Sequence, residues 1–137
     1  MPATLYTMGY LHSSSKHVLA GLIAVRTPLV DIRKSPTSKR VEWTQDMLKQ
    51  EPGLFYSWLP DLGNDNYSSR GAAPIAIHDM ECGLVELERL LSLHGRACLM
   101  CACAFPDECH RQIVADEAAR RFGLSVVHLP ATRKRVA

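Results

Sequence analysis

The 137-residue chain is predicted to be one α/β domain, a mostly parallel five-stranded sheet with helices on both faces. Three observations predict it. Apolar runs of strand length alternate with amphipathic stretches of helix length, five times over. Some of those runs, such as Pro28-Leu29-Val30-Asp31-Ile32, are apolar nearly throughout, as strands buried on both faces are. Polar and reactive residues collect where the strands end, which is where open α/β sheets bind ligands.

The elements follow in chain order. Residues 4–9 read as a first strand, stopped by Gly9. Ser13, Ser14 and Ser15 offer capping hydroxyls for a helix over 16–25, with Leu19, Leu22 and Ile23 on one face. The second strand spans 28–32 and leads through Arg33 into a polar, basic loop over 34–40, with Lys34, Lys39 and Arg40 as a positive approach. A short helix is expected over 43–51 and a third strand over 54–59, with Phe55 and Trp58 in the core. Residues 63–74 are poor in apolar side chains, which predicts a mobile loop near the rim, a candidate lid. Met80, Leu84, Leu87 and Leu91 set a helix over 75–94 that Gly95 stops. A fourth strand covers 96–102, a helix 109–122 ends at Gly123, and a fifth strand covers 124–129. The domain spans 1–130; residues 131–137, with Arg133, Lys134 and Arg135, form a short basic tail expected to be disordered.

Placing the first and fourth strands side by side gives the order 3-2-1-4-5 and brings three polar clusters to one rim. These are Thr7, Gly9 and Tyr10 at the end of the first strand, Asp31 and Arg33 at that of the second, and Cys101 and Cys103 at that of the fourth. The segment from Leu99 to Arg111 is the centre of interest. It runs from a buried strand, breaks at Pro106, and restarts as a helix at Cys109-His110-Arg111, where a helix N-terminus stabilises anions and thiolates.

Composition narrows the function. The apolar fraction of 47% and charged fraction of 22% are those of an ordinary globular protein, and a net charge of +2 does not by itself argue for nucleic acid. No apolar run approaches a membrane span, and no secretory signature opens the chain. Four of the five cysteines lie between Cys98 and Cys109, a spacing that reads as free thiols in a reducing cytoplasm. No glycine-rich phosphate loop, Gly-x-Ser-x-Gly elbow or tyrosine-phosphatase spacing occurs.

Cys109 is the candidate nucleophile, activated by the helix start and by His110 as acid or base; packing as an inert buried thiol is the competing reading. Cys101 is expected at the floor of the site, Cys98 in the core, and Cys82 without a role. Arg33 and Arg111 are expected to clamp one phosphate or carboxylate, with Asp31 or Glu108 between them in the empty protein. The alternative for Asp31 and Arg33 is an ion pair closing the rim. Cys101, Cys103, Cys109 and His110 supply enough ligands for zinc, but neither Cys-x-x-Cys nor His-x3–5-His occurs, so no metal or cofactor is assigned. His12 and His128 are read as lone structural residues.

The same residues carry a resemblance. Thr7-Met8-Gly9-Tyr10, then Asp31-Ile32-Arg33-Lys34-Ser35-Pro36-Thr37-Ser38, then Tyr56 to Leu62-Gly63, then Leu99-Met100-Cys101-Ala102-Cys103 and Cys109-His110-Arg111 stand in that order. Over residues 5–130 the chain resembles the domain of unknown function 488 family. Cys103 departs from the pattern, standing where the family usually has glutamate. The resemblance implies a Rossmann-like three-layer fold and leaves the reaction open. Two functions are expected from this rim: a thiol-dependent hydrolase or transferase acting on an anionic, phosphate-bearing or nucleotide-like ligand, or a non-catalytic module binding a nucleotide or nucleic acid.

Overall fold

A computed structural model describes residues 3–69 and 71–129, with the side chain of Glu108 left out. The basic tail therefore lies outside the described residues. Among these, five strands form one sheet in which every pairing is parallel. Strands β1 (Thr4–Gly9), β2 (Leu29–Asp31), β3 (Tyr56–Trp58), β4 (Arg96–Cys101) and β5 (Ser125–Leu129) alternate with helices α1 (Ser15–Ala24), α2 (Gln45–Gln50), α3 (Met80–His94) and α4 (His110–Phe122). The predicted α/β class is the observed one.

The order is β3-β2-β4-β1-β5. β1 and β4 are neighbours as expected, but they exchange places relative to 3-2-1-4-5. Burial accounts for the exchange. Every residue of β4 after Arg96 is buried, whereas Thr4 and Tyr6 of β1 are only half-buried, so β4 takes the centre. Its register sets Gly9 against Cys101 and Asp31 against Met100, so the carboxyl ends of β1, β2 and β4 coincide. The shared rim survives, with Cys101 at its middle.

Two apolar layers sandwich the sheet. On one face Leu84, Leu87, Leu90 and Leu91 of α3 and Val114, Ala115 and Ala118 of α4 pack on Leu5, Val30, Ala97 and Leu99. On the other, Leu22 of α1, Trp43 and Leu48 pack on Met8, Leu29, Cys98 and Met100. Alternate residues of β4 thus serve opposite layers, which is why its sequence is apolar without a break. Gly95 and Gly123 close α3 and α4 in left-handed conformations (φ 75° and 65°), the helix stops expected of them.

Three local expectations are corrected. Helix α3 starts at Met80 rather than at 75, because Ile77 bridges Asn64 and the His78 and Asp79 amides donate to the Gly63 and Asp61 carbonyls. Asp79 then caps the helix, accepting from the Cys82 amide at 3.1 Å. Phe55 and Trp58 are 48% and 37% exposed, not core, since β3 is a three-residue edge strand. The loop over 63–74 does stand at the rim, held in place by hydrogen bonds. Asn64 Oδ1 accepts from the Asn66 and Ala76 amides, and the Asp65 amide donates to the Ala76 carbonyl. Lys34 Nζ lies 2.7 Å from Asp65 Oδ1 and 2.8 Å from His78 Nδ1, pinning the loop to the segment after β2.

Candidate functional site

At the carboxyl rim lies a cavity of about 730 Å³. Its floor is Cys101, Ala102 and Cys103; one wall carries Tyr10, Arg33, Lys34 and His110, and the other is the loop, through Asn64, Asn66 and Tyr67. Of the predicted site residues, Tyr10, Arg33, Cys101, Cys103 and His110 line this cavity. Thr7, Gly9, Asp31, Cys109 and Arg111 stand outside its lining and shape it from behind.

Asp31 and Arg33 form the ion pair that was the alternative to an anion clamp. Arg33 Nε donates to Asp31 Oδ1 at 2.9 Å and Nη2 to Oδ2 at 2.6 Å, a two-pronged contact with both residues buried. Nη1 donates to the Thr37 carbonyl, and the guanidinium lies 5.4 Å from the Tyr10 ring centroid. Burial pulls the Arg33 pKa down, but the Asp31 carboxylate more than offsets it and leaves the pKa raised. The Tyr56 hydroxyl donates to Asp31 Oδ2 at 2.5 Å, and Trp58 Nε1 donates to the Arg33 carbonyl at 2.8 Å. Burial, then the Asp31 charge, raises the Tyr56 phenol well above its ordinary value. β3 thereby earns its place by bracing the end of β2.

Arg111 was expected at the rim, opposite Arg33. It is instead fully buried, in the first turn of α4. Its Nε donates to Thr7 Oγ1 at 3.0 Å, Nη1 to the Cys103 carbonyl at 2.5 Å and to Cys101 Sγ at 3.3 Å, and Nη2 to the Ala104 carbonyl at 3.4 Å. The guanidinium therefore gathers the chain beyond β4 and ties it to β1. The Thr7 hydroxyl accepts from Arg111 and donates its own O–H to His128 Nδ1 at 2.6 Å. His128 thus has a companion, and burial followed by the Arg111 charge lowers its pKa. Gly9 is what lets the loop approach: a Cβ there would stand 1.5 Å from the Cys103 carbonyl oxygen and 2.7 Å from Arg111 Nη1.

Cys109 precedes α4 in extended conformation and is 3% exposed. Its Sγ meets that of Cys101, the two Cα atoms being 7.5 Å apart. The two sulfurs are in bonding contact, a Cys101–Cys109 disulfide where free thiols were expected, although the Cα separation is wider than the roughly 4.4–6.8 Å that most bridged cysteines span. With Cys103, three sulfurs lie within 4.8 Å of one another. Sequence spacing alone does not reveal this, because the turn over 102–109 has no repeat of its own; the folding of that turn around Arg111 brings the sulfurs together.

His110 Nε2 lies 2.8 Å from the Ile32 carbonyl oxygen, a contact that requires Nε2 to carry the proton. Nδ1 then holds a lone pair, 3.6 Å from Cys109 Sγ. Burial lowers the His110 pKa, with the Arg111 charge adding to it and the Ile32 carbonyl and Asp31 opposing. Buried Cys98 lies in the core as expected, its thiol pushed up by burial, and Cys82 is exposed on α3. Sequence reasoning missed Asn64, Asn66 and Tyr67 as a cavity wall. The Asn-x-Asn spacing of Asn64 and Asn66, common in turns, was the available signal.

No family model matches the chain, and neither a curated protein nor a solved structure was found to be similar to it.

Proposed function

We propose that this protein binds a small phosphate-bearing or nucleotide-like anion in the rim cavity, as a cytoplasmic member of the domain of unknown function 488 family. The observation that carries the reading is the composition of the cavity wall. Arg33, Lys34 and His110 face it from one side, Tyr10 and Tyr67 offer rings and hydroxyls, and the described lining residues include neither Asp nor Glu. A cavity of about 730 Å³ is of the size that holds a cofactor or a nucleotide. Lys34 is the adjustable cation: its partner Asp65 is exposed, so an incoming phosphate competes with it at little desolvation cost.

A second reading, thiol-dependent hydrolysis or group transfer, is favoured by the contact of Cys109 Sγ with His110 Nδ1. In it Cys109 passes its proton to His110, the thiolate bonds to the ligand's phosphorus as a P–O bond breaks, and His110 returns the proton to the departing oxygen. Cys109 lies behind the cavity floor, so this attack requires its pairing with Cys101 to be reduced and Cys103 to move aside.

Calorimetric titration with a nucleoside monophosphate and with the matching nucleoside tests the binding reading. The phosphate is expected to tighten binding by at least about tenfold, and Lys34→Glu to abolish that difference. Equal affinities for the two, or no binding of either, overturn it. Phosphate release that persists in Cys103→Ser and Cys109→Ser overturns the thiol reading.

A further inference from the structure

We infer that Cys101, Cys103 and Cys109 hold a soft metal ion of the zinc class as thiolates, with the His110 imidazole beside it. The inference stands apart from the ligand reading above and does not need it.

The first support is distance. Zinc bonded to sulfur at about 2.3 Å and to nitrogen at about 2.0–2.1 Å in a tetrahedron sets sulfur–sulfur edges near 3.8 Å and sulfur–nitrogen edges near 3.6 Å. The three sulfurs lie within 4.8 Å of one another, and His110 Nδ1 lies 3.6 Å from Cys109 Sγ. The Cys101 and Cys109 sulfurs are joined in this structure, closer than two zinc ligands stand, and must part by reduction to hold an ion; their Cα atoms, at 7.5 Å, are wider apart than most bridged pairs and leave room for one.

The second is the imidazole. Its Nε2–H is committed to the Ile32 carbonyl, so the Nδ1 lone pair points at a sulfur that itself carries lone pairs. A cation reconciles the two. Donation of the far ring N–H to a backbone carbonyl is also how metal-binding histidines are oriented.

The third is charge. Three thiolates around a divalent ion carry a net charge of −1, which would be costly in a buried site. Arg111, fully buried, supplies +1 and places Nη1 3.3 Å from Cys101 Sγ. The guanidinium thereby neutralises the cluster and, by N–H···S contact, favours the thiolate. Formation is balanced in two stages: a cellular dithiol reduces the Cys101–Cys109 pair with two electrons and two protons and is itself oxidised to a disulfide, and the ion then displaces three thiol protons, which pass to solvent.

The test uses the full chain, purified anaerobically with a non-thiol reductant, and analysed for zinc and copper by mass spectrometry. About one equivalent of one of these is expected per chain. Stripped protein given cobalt(II) should show thiolate-to-metal charge-transfer bands and the strong visible bands of a tetrahedral site. Cys101→Ser, Cys103→Ser and Cys109→Ser should each weaken cobalt binding at least about tenfold, whereas Cys82→Ser should leave it unchanged. Circular dichroism of each variant separates lost ligands from lost fold. Should a variant not fold, blocking of all three thiols by alkylation in the stripped protein but not in the zinc-loaded one reads the same site. Three freely alkylated thiols with no bound metal overturn the inference. So does a parallel preparation, made anaerobically without reductant, in which Cys101 and Cys109 resist alkylation until a reductant is added and no metal binds afterwards.

Discussion

Replacing Arg111 with leucine tests the central structural claim, that this arginine organises the rim from within. The change keeps an apolar stem and removes four donated contacts, to Thr7 Oγ1, Cys101 Sγ and the Cys103 and Ala104 carbonyls. Hydrogen bonds to a charged group contribute about 1.5–3 kcal/mol each. Not all of that is lost. Thr7 keeps His128, the Ala104 contact is long at 3.4 Å, and Ala104 is only half-buried, so water can reach it. The Cys103 carbonyl, at 2.5 Å, loses most. Relief from burying a guanidinium offsets part of the remainder. A net loss of about 2–4 kcal/mol follows, a large share of the roughly 5–15 kcal/mol that holds a domain folded. Urea unfolding in reductant and chelator measures it. The midpoint should fall with the slope unchanged, and Arg120→Leu, which removes an exposed pair with Glu117, should move it by no more than about 0.5 kcal/mol. An Arg111→Leu midpoint equal to that of Arg120→Leu would refute the reasoning and return Arg111 to the surface role its sequence position first suggests.

Three further outcomes are expected. Gly9→Ala puts a methyl group onto the Cys103 carbonyl oxygen, and should cost about 3 kcal/mol or more in urea unfolding; a change under about 1 kcal/mol would mean the loop yields freely. Tyr56→Phe removes the bond to Asp31 and leaves the Arg33 pair in place, so a loss of about 1–2 kcal/mol is expected, and none would show that Asp31 needs no help from β3. Because burial and the Arg111 charge hold His128 below the ordinary histidine value of 6.5, the unfolded chain binds the extra proton first. Stability contributed by neutral His128 is therefore full above that value and falls as pH drops below it. His128→Gln should flatten the fall, and parallel midpoint-against-pH curves for the two proteins would contradict it.

Much of the fold can be read in the sequence because burial writes itself into patterns. Continuous apolar runs mark β2 and β4, the leucine spacing marks α3, and Gly95 and Gly123 mark where helices stop. The exchange of β1 and β4 left only a faint trace: β4 is apolar from Ala97 to Cys101, whereas β1 carries Thr4 and Thr7, and pairing partners themselves leave no local pattern. The rim itself was also legible, from polar residues at strand ends. What was not legible was which side chains face the cavity. Arg33 and Arg111 look alike in sequence, yet one is locked two residues from its own carboxylate and the other is swallowed by the turn it supports. Phe55 and Trp58 misled for a related reason: Trp58 sits on a three-residue edge strand with a sheet neighbour on one side only, and Phe55 stands just before it.

The central place of β4 bears on how the chain assembles as it is made. β1 is made well before its partners, which are residues 96–101 and 125–129. At about 5–20 residues per second, an interval on the order of 5–20 s separates its synthesis from that of β4. During that interval β2 and β3, close in sequence, have each other, while both edges of β1 stand unpaired with Leu5 and Met8 uncovered. Such a strand is a template for the wrong neighbour. The sheet is completed only when its middle arrives, so β4 and β5 govern whether β1 was kept out of trouble.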